Sequence, residues 1–190
     1  MKSLKFYFAI LFAALMATTV TAQRDDHNRV GGIRAGYNGA ALVMDGELFP
    51  LSEAHPSFYA GFFRDNKIIP LLHVGTGLEY VQNGMNFNED NKRVLHYLSV
   101  PLNLKLKLGP VFALGGIAPS FKVAEREVVA GNSMKPDSDD TSNWFDAPVF
   151  VGAGLKLWFI TLEARYHWGI TDVYQGYHNH YLQIGAGISF

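Results

Sequence analysis

The last nine residues of the chain alternate strictly between apolar and small or polar side chains. Glutamine, glycine and serine stand between five apolar residues, which are Leu182, Ile184, Ala186, Ile188 and Phe190. Because successive side chains of a β-strand point to opposite faces, a period of two predicts a strand with one apolar and one polar face. Such a strand needs a sheet whose two faces meet different surroundings.

The same period recurs through the chain and indicates eight strands. They lie at about 33–37, 57–64, 72–80, 97–108, 111–123, 149–157, 160–168 and 182–190. Two are less regular: 57–64 is apolar or small on both faces, and 111–123 changes phase near Gly115–Gly116, as a β-bulge or a different parity would explain.

The connections between these segments alternate in length. We expect short turns at 65–67, 109–110 and 158–159, and long polar connections at 39–56, 83–92, 124–143 and 170–178. An up-and-down barrel with one plain end and one elaborate end has this alternation. The sequence therefore predicts an all-β fold, an eight-stranded antiparallel up-and-down transmembrane β-barrel.

The N-terminus has the layout of a secretory signal. Lys2 and Lys5 precede an apolar run of 12 residues, 6–17, and Val20-Thr-Ala22 provides a cleavage pattern. The run is shorter than the ~20 residues of a spanning helix. We expect a cleaved signal peptide over 1–22 and a barrel domain over 23–190, with a retained N-terminal anchor as the alternative.

Composition narrows the function classes. The absence of cysteine excludes disulfides, thiolate zinc sites and cysteine nucleophiles. Charged residues are 17% of the chain, below the ~25% of an average soluble domain. A net charge of −1 gives no basic surface for nucleic acid, so we expect no nucleic-acid partner.

Two barrels fit eight such strands, and they differ in what faces inward. A soluble lipocalin-like carrier buries its apolar parity, whereas an outer-membrane barrel turns that parity to lipid. Here the polar parity combines many glycines with long charged side chains, a combination that suits the narrow interior of an eight-stranded barrel. The resulting prediction is a lumen charge network of Arg34, Glu79, Lys105, Lys156, Glu163 and Arg165.

Aromatic residues concentrate near both ends of the predicted strands. Two belts at the membrane–water interfaces would place them so, although aromatic residues are also common in strands generally. The predicted belt residues are Tyr37, Tyr80, Tyr97, Phe112, Trp158, Phe159, Tyr166, Trp168 and Tyr181.

Several motifs in order resemble the PorT-like outer-membrane β-barrel family of Gram-negative bacteria and, to a lesser degree, OmpA-type barrels. They are Thr-Ala-Gln23, Gly32-Ile-Arg-Ala-Gly36, Leu98-Ser-Val-Pro-Leu102, Leu104-Lys105-Leu106, Leu162-Glu-Ala-Arg-Tyr166, Gly169-Ile-Thr171 and the C-terminal 183–190. The resemblance implies a bacterial outer-membrane location, exposed long loops, and a terminal Phe190 read by the barrel-assembly machinery. It fixes no common activity, although PorT itself is linked to protein secretion.

Three other residue patterns are incomplete as metal or catalytic sites. His178 and His180 could share a metal, and Asp137–Asn143 partly matches a calcium loop, but neither set is complete. Ser120, His167 and Asp172 are catalytic residue types with no triad order. We therefore expect no metal, no cofactor and no enzymatic activity.

The function predicted from sequence is a small non-enzymatic outer-membrane barrel with a side-chain-filled lumen. Both termini would be periplasmic, and four extracellular loops would serve structural or binding roles. Expected partners are outer-membrane lipids, lipopolysaccharide and the barrel-assembly machinery, with a possible envelope or secretion partner. The alternative is an accessory component of a secretion or transport assembly, and a loop-end membrane enzyme is a further one. The lumen charges themselves could form a gated polar pathway or an anion site, or simply fill the barrel.

Overall fold

The computed structural model describes residues 29–44, 47–48, 55–88, 91–129, 132–134, 143–174 and 177–190. The predicted signal peptide lies outside this part of the chain. Everything described is strand or connection, and no helix within it is long and apolar enough to span a membrane.

Eight antiparallel strands form the molecule, three of them in two segments. They are β1 Arg29–Met44, β2 His55–Lys67, β3 Leu72–Asn88, β4 Asn91–Ser99 with Leu102–Leu108, β5 Val111–Ile117 with Ser120–Val129, β6 Phe145–Asp146 with Val149–Leu157, β7 Ile160–Tyr174 and β8 Tyr177–Ser189. Two short segments, Glu47–Leu48 and Asn132–Met134, pair antiparallel with the ends of β1 and β5.

The sheet closes on itself. Each strand pairs with the next along the chain, and β1 pairs with β8 from Gly32 opposite Ser189 to Val43 opposite His178. Closure leaves no open sheet edge, which is the only way that β-structure satisfies its backbone groups in hydrocarbon. The predicted fold class is confirmed.

We call the end of the barrel that carries the short turns the turn end, and the opposite end the loop end. At the loop end the strands are longer than predicted. The segment 65–67 is not a turn, because β2 continues through Lys67 and the chain reverses at 68–71. The expected long connections 83–92 and 170–178 are mostly strand, since only residues 89–90 and 175–176 separate the strands there. The polar composition of these segments does not prevent strand formation, because the hydrogen bonds of the ladder join backbone groups whatever the side chain.

Three neighbouring strands are interrupted at one level, each at a proline. The breaks are Val100–Pro101 in β4, Ala118–Pro119 in β5 and Ala147–Pro148 in β6. They face one another, because the amide N–H of Val100 donates to Pro119 O and that of Ala118 to Pro148 O, both at 2.8 Å. We call this row the proline seam; proline has no N–H, so each of these pairs lacks its return hydrogen bond.

Burial alternates along the strands with the apolar residues outside. In β4, Leu102, Leu104 and Leu106 are exposed, whereas Asn103 and Lys105 are buried. The arrangement is the reverse of a soluble barrel and that of a transmembrane one.

The structure shows which residues face inward in the two segments with irregular alternation, 57–64 and 111–123. In 57–64, Tyr59 and Phe63 point inward, and Phe58 and Phe62 outward. No bulge occurs at Gly115–Gly116, where the register with both neighbours is continuous. The irregularity lies further along β5, in the proline seam and at Val123, which has no partner in β4.

Candidate functional site

The lumen is the most organised polar feature of the barrel, and glycines make room for it. A Cβ on Gly154 would collide with the Phe112 ring and with Leu162 O, and one on Gly185 would collide with the Tyr59 hydroxyl. Large inward side chains therefore occupy the volume that these positions leave open.

Two arginines and two glutamates meet near the middle of the lumen. Arg165 donates from Nη2 to Glu79 Oε1 at 3.0 Å and from Nη1 to Glu79 Oε2 at 3.3 Å, and its Nε lies 2.9 Å from Glu163 Oε1. Arg34 pairs with Glu79 through Nε and donates from Nη1 to Glu163 Oε1 at 3.3 Å. Each arginine thus contacts both glutamates. We call this neutral set the central quartet.

Aromatic rings cover the arginines of the central quartet. The Arg165 guanidinium lies 5.0 Å from the Tyr59 ring centroid and 5.8 Å from that of Phe150, and the Arg34 guanidinium lies 5.4 Å from that of Phe63. Rings at this distance attract the cations and exclude water. Arg165 is only 1% exposed.

A second ionic group lies toward the turn end. Lys105 Nζ is 2.9 Å from Asp65 Oδ2 and 4.0 Å from Glu163 Oε2, and Lys107 Nζ is 3.4 Å from the same Asp65 oxygen. Lys156 is half-buried nearby, within electrostatic range of Asp65 and Lys105. We call Asp65, Lys105, Lys107 and Lys156 the turn-end cluster.

Sequence reasoning missed Asp65 and Lys107 as members of the network. Asp65 stands in the polar run that was interpreted as a turn, although its spacing of two from Phe63 continues the inward parity of β2. Lys107 continues the parity of Lys105, and that spacing was the available signal.

On the loop-end side of the central quartet, the lumen is filled by aromatic and amide side chains. His167 stacks between Phe150 and Tyr181, with ring centroids 4.7 and 4.1 Å away, and its Nε2 lies 3.0 Å from Gln183 Oε1. Asn38 donates from Nδ2 to Gln82 O at 2.7 Å.

The free volume beside the central quartet is small. A cavity beside Arg34, Lys105, Thr161 and Glu163 has a volume of about 10 Å³, no more than about one water molecule needs. At this level the lumen is packed.

Outside, aromatic side chains form a ring near each end. At the loop end the structure places Tyr37, Phe58, Tyr80, Phe121, Trp144, Tyr166 and Trp168 on the outer face. At the turn end, Trp158, Phe159 and Phe190 are exposed, Trp158 by 92% and Phe190 by 84%. We call these the loop-end ring and the turn-end ring.

Three residues predicted for the belts lie inside instead, so that part of the prediction is wrong. Tyr97, Phe112 and Tyr181 are 2%, 5% and 3% exposed. Each has the parity of inward residues on its own strand, and Phe112 lies under the Lys105 ammonium, 4.7 Å from the ring centroid. Proximity to a strand end was taken as the signal, but parity decides which face a side chain occupies.

The comparisons with known proteins agree with this architecture. The family model described as "Outer membrane protein beta-barrel domain" matches residues 21–175. The chain belongs to this family. Membership of this family places the protein in the bacterial outer membrane.

Solved structures show the same fold at low sequence identity. Neisserial surface protein A (NspA) is 14% identical, with a TM-score of 0.59 over 84% of this chain and 97% of that one. Ail, the attachment invasion locus protein of Yersinia pestis, solved with the heparin analogue sucrose octasulfate, is 15% identical, with a TM-score of 0.54 over 86% of this chain and 99% of that one. No curated protein matches the outer membrane barrel.

The metal-ligating and catalytic residue types noted in the sequence do not come together within the described residues. Ser120 Oγ lies in the lumen, 2.7 Å from Ala118 O and 2.9 Å from Ser99 Oγ, and His167 is enclosed by rings. The side chains of Asp172 and His178 and the segment 137–142 lie outside the described part. Within it, no three potential ligand side chains group around a metal position.

Proposed function

We propose that this outer membrane barrel is a non-enzymatic, non-conducting surface protein. In this role the closed wall is a rigid support for the connections at the loop end, which contact other molecules. The observation that carries the proposal is the packed lumen, in which the central quartet joins β1, β3 and β7 through ion pairs.

A plugged barrel is suited to presentation rather than transport. Ion pairs across the lumen tie opposite walls together, and removing one arginine would leave two buried carboxylates to share a single cation at membrane depth. Such a lumen resists opening, so the chemistry of the protein lies on its outer surface and its ends.

The proposed orientation puts the turn end in the periplasm. An even number of strands brings Arg29 and Phe190 to the same end of the barrel, where the amide N–H of Phe190 donates to Gly31 O at 2.9 Å. We propose that a signal peptide over 1–22 is cleaved after export, that both termini are periplasmic and that all four connections of the loop end are extracellular.

Biogenesis supplies one proposed partner and the membrane another. Phe190 ends the chain on an exposed aromatic ring, as a signal for the barrel-assembly machinery requires. The loop-end ring lies at the height where aromatic side chains meet lipid headgroups, which in this orientation are those of lipopolysaccharide.

The loop-end partner is proposed to be an envelope or extracellular molecule. The structure of Ail with sucrose octasulfate illustrates one ligand class for a barrel of this shape. The resemblance to PorT-like barrels supports the alternative, an accessory component of a secretion assembly, which would engage the turn end instead.

Reconstitution in planar bilayers tests the plugged lumen. We expect no stable conductance steps from the purified barrel, whereas an open porin prepared in parallel gives them. Regular conductance steps from the purified barrel would overturn the proposal.

Protease accessibility on intact cells tests the orientation. A cleavage site inserted in 135–142 should be cut from outside, and the same site inserted in the turn 68–71 should be protected until the outer membrane is permeabilised. The reverse pattern would contradict the proposed orientation. Crosslinking from the same turn to a periplasmic or secretion component would favour the alternative function.

A further inference from the structure

Two arginines stand on the outer wall of the barrel near the turn end. Arg64 has the outer parity of β2, as the exposed Phe62 does, and Arg29 has the outer parity of β1. Arg29 is paired with Asn66, which lies two residues from Arg64 along β2. The two arginines are therefore diagonal neighbours on one face of the sheet.

Charge is exceptional on this surface. On the other six strands, the lipid-facing residues that the structure describes between the two rings are all uncharged, and β4 presents a row of leucines there. A charged side chain in contact with hydrocarbon is costly and marks a functional contact. The wall of β1 and β2 near the turn end thus differs in kind from the rest of the outer face.

Depth determines what these arginines meet. Arg64 lies six residues along β2 from Phe58 of the loop-end ring, which is about 15 Å at the usual rise and tilt of barrel strands. The apolar band of such barrels is about 25 Å tall, so the backbone of Arg64 is still inside it. Its guanidinium reaches water only by extending toward the turn end, and the groups that it meets there are lipid headgroups.

A third cation and several apolar side chains surround the arginines. Lys67 is exposed at the end of β2, and the turn that follows exposes Ile68 and Ile69 by 58% and 54%. Phe190 lies on the other side, where its amide N–H donates to Gly31 O. Cations among exposed apolar side chains suit a molecule that is itself part anionic and part apolar. We call the three cations the basic rim: Arg29, Arg64 and Lys67.

The negative charge near the basic rim does not cancel it. Asp65, the acidic side chain described at this end, is buried and held by Lys105 and Lys107, so the C-terminal carboxylate is the other negative group there. Arg29 and Arg64 also interact within the protein. A guanidinium has five N–H donors, however, and can hold a phosphate in addition to such contacts.

We propose that the basic rim binds the phosphate of an anionic phospholipid, such as phosphatidylglycerol, whose acyl chains lie against the apolar wall of β1 and β2. The headgroup of this lipid has no ammonium group to oppose the positive charge of the rim, whereas that of a zwitterionic phospholipid has one. The site follows from the charge and depth of the wall. Only its assignment to the periplasmic leaflet rests on the proposed orientation.

Fluorescence quenching of the full barrel in vesicles tests the site. Phe62→Trp, combined with Trp144→Phe, Trp158→Phe and Trp168→Phe, leaves a single tryptophan two residues from the Arg64 position on the same face. The vesicles hold equal amounts of phosphatidylglycerol and phosphatidylcholine in both leaflets, and one lipid or the other carries brominated chains that quench on contact. We expect a preference for phosphatidylglycerol of about fivefold, the effect of one cation at an anionic surface.

Matched variants localise the preference. Arg29→Gln/Arg64→Gln should abolish it, and Arg29→Lys/Arg64→Lys should keep most of it, because the charge remains. Val151→Trp in the same tryptophan-free background places the reporter on the uncharged wall of β6, where both lipids should quench equally.

Three results would overturn the proposal. Equal quenching by the two lipids at Phe62→Trp would favour an acidic periplasmic protein as the occupant. An unchanged preference in Arg29→Gln/Arg64→Gln would show general attraction of the lipid to the barrel. A preference that appears only in Asp25→Asn/Asp26→Asn would show that carboxylates of the chain itself fill the basic rim. Since both leaflets are alike and no current is measured, none of these results depends on the orientation or on the plugged lumen.

Discussion

Arg165 shows how far one residue can determine the interior of a small barrel. Its side chain contacts both glutamates of the central quartet and lies under two aromatic rings, with almost no exposure. The parity of β7 and the charge of the residue predicted an inward cation. Its partner Glu79 in β3 and its ring contacts depend on the curvature of the barrel wall. The spacing of residues along one strand carries no information about that curvature.

Arg165→Ala should destabilise the folded barrel by about 3–5 kcal/mol, because it leaves Glu79 buried without its bidentate partner. The measurement is urea unfolding in lipid vesicles. Arg126→Ala, at an exposed position, is the control and should change stability by about 0.5 kcal/mol or less. Equal effects of the two variants would contradict the role of the central quartet.

Gly154→Ala tests the packing of the lumen. The new methyl group would meet the Phe112 ring and the Leu162 carbonyl, and we expect overpacking to cost about 1–3 kcal/mol. Gly115→Ala is a matched control, since its Cβ would have its nearest contact at an ordinary 3.6 Å, to Phe150 O. Both are measured by the same unfolding assay, and a larger cost for Gly115→Ala would refute the packing described.

At the scale of elements, the proline seam has a local compensation. Ala118 donates to Pro148 but receives no hydrogen bond in return, and the Ser120 hydroxyl lies 2.7 Å from the Ala118 carbonyl oxygen. Ser120 therefore supplies the donor that the proline lacks. From sequence alone this serine was only a catalytic residue type without a triad. Neither the alignment of the three prolines nor the neighbour of its hydroxyl can be deduced without the register.

Ser120→Ala should cost about 1–3 kcal/mol, the penalty for a buried carbonyl left without a donor. Pro148→Ala restores a backbone N–H at the opposite position, so the cost of Ser120→Ala should fall in that background. A double-mutant cycle on unfolding free energies measures this coupling. Additive effects would show that the hydroxyl does not serve the seam.

Strand ends illustrate a different limit of the sequence. Apolar alternation identified these strands as far as Tyr80 and Trp168, but β3 continues to Asn88 and β7 to Tyr174. Hydrophobicity reports the surroundings of a side chain, whereas backbone pairing sets the length of a strand, and the two need not end together.

For the molecule as a whole, the decisive property is that its apolar side faces outward. Leu104→Arg, on the lipid side of β4 between the two rings, should destabilise the barrel in bilayers by about 2–4 kcal/mol. Val123→Arg, close to the loop-end ring, is the control and should cost about 0–1 kcal/mol. Unfolding in vesicles gives both values, and indifference to Leu104→Arg would mean that this face does not contact lipid.

The length of β3 fixes how far the protein reaches from the membrane. Beyond Tyr80 in the loop-end ring, this strand continues to Asn88. At the usual rise and tilt of barrel strands, this is about 20 Å of wall. The headgroup layer on one side of a bilayer is only about 5–8 Å thick, so the paired wall stands clear of the lipid surface. A partner that binds the connections at the loop end would therefore also meet paired sheet at the sides of the barrel, above the bilayer.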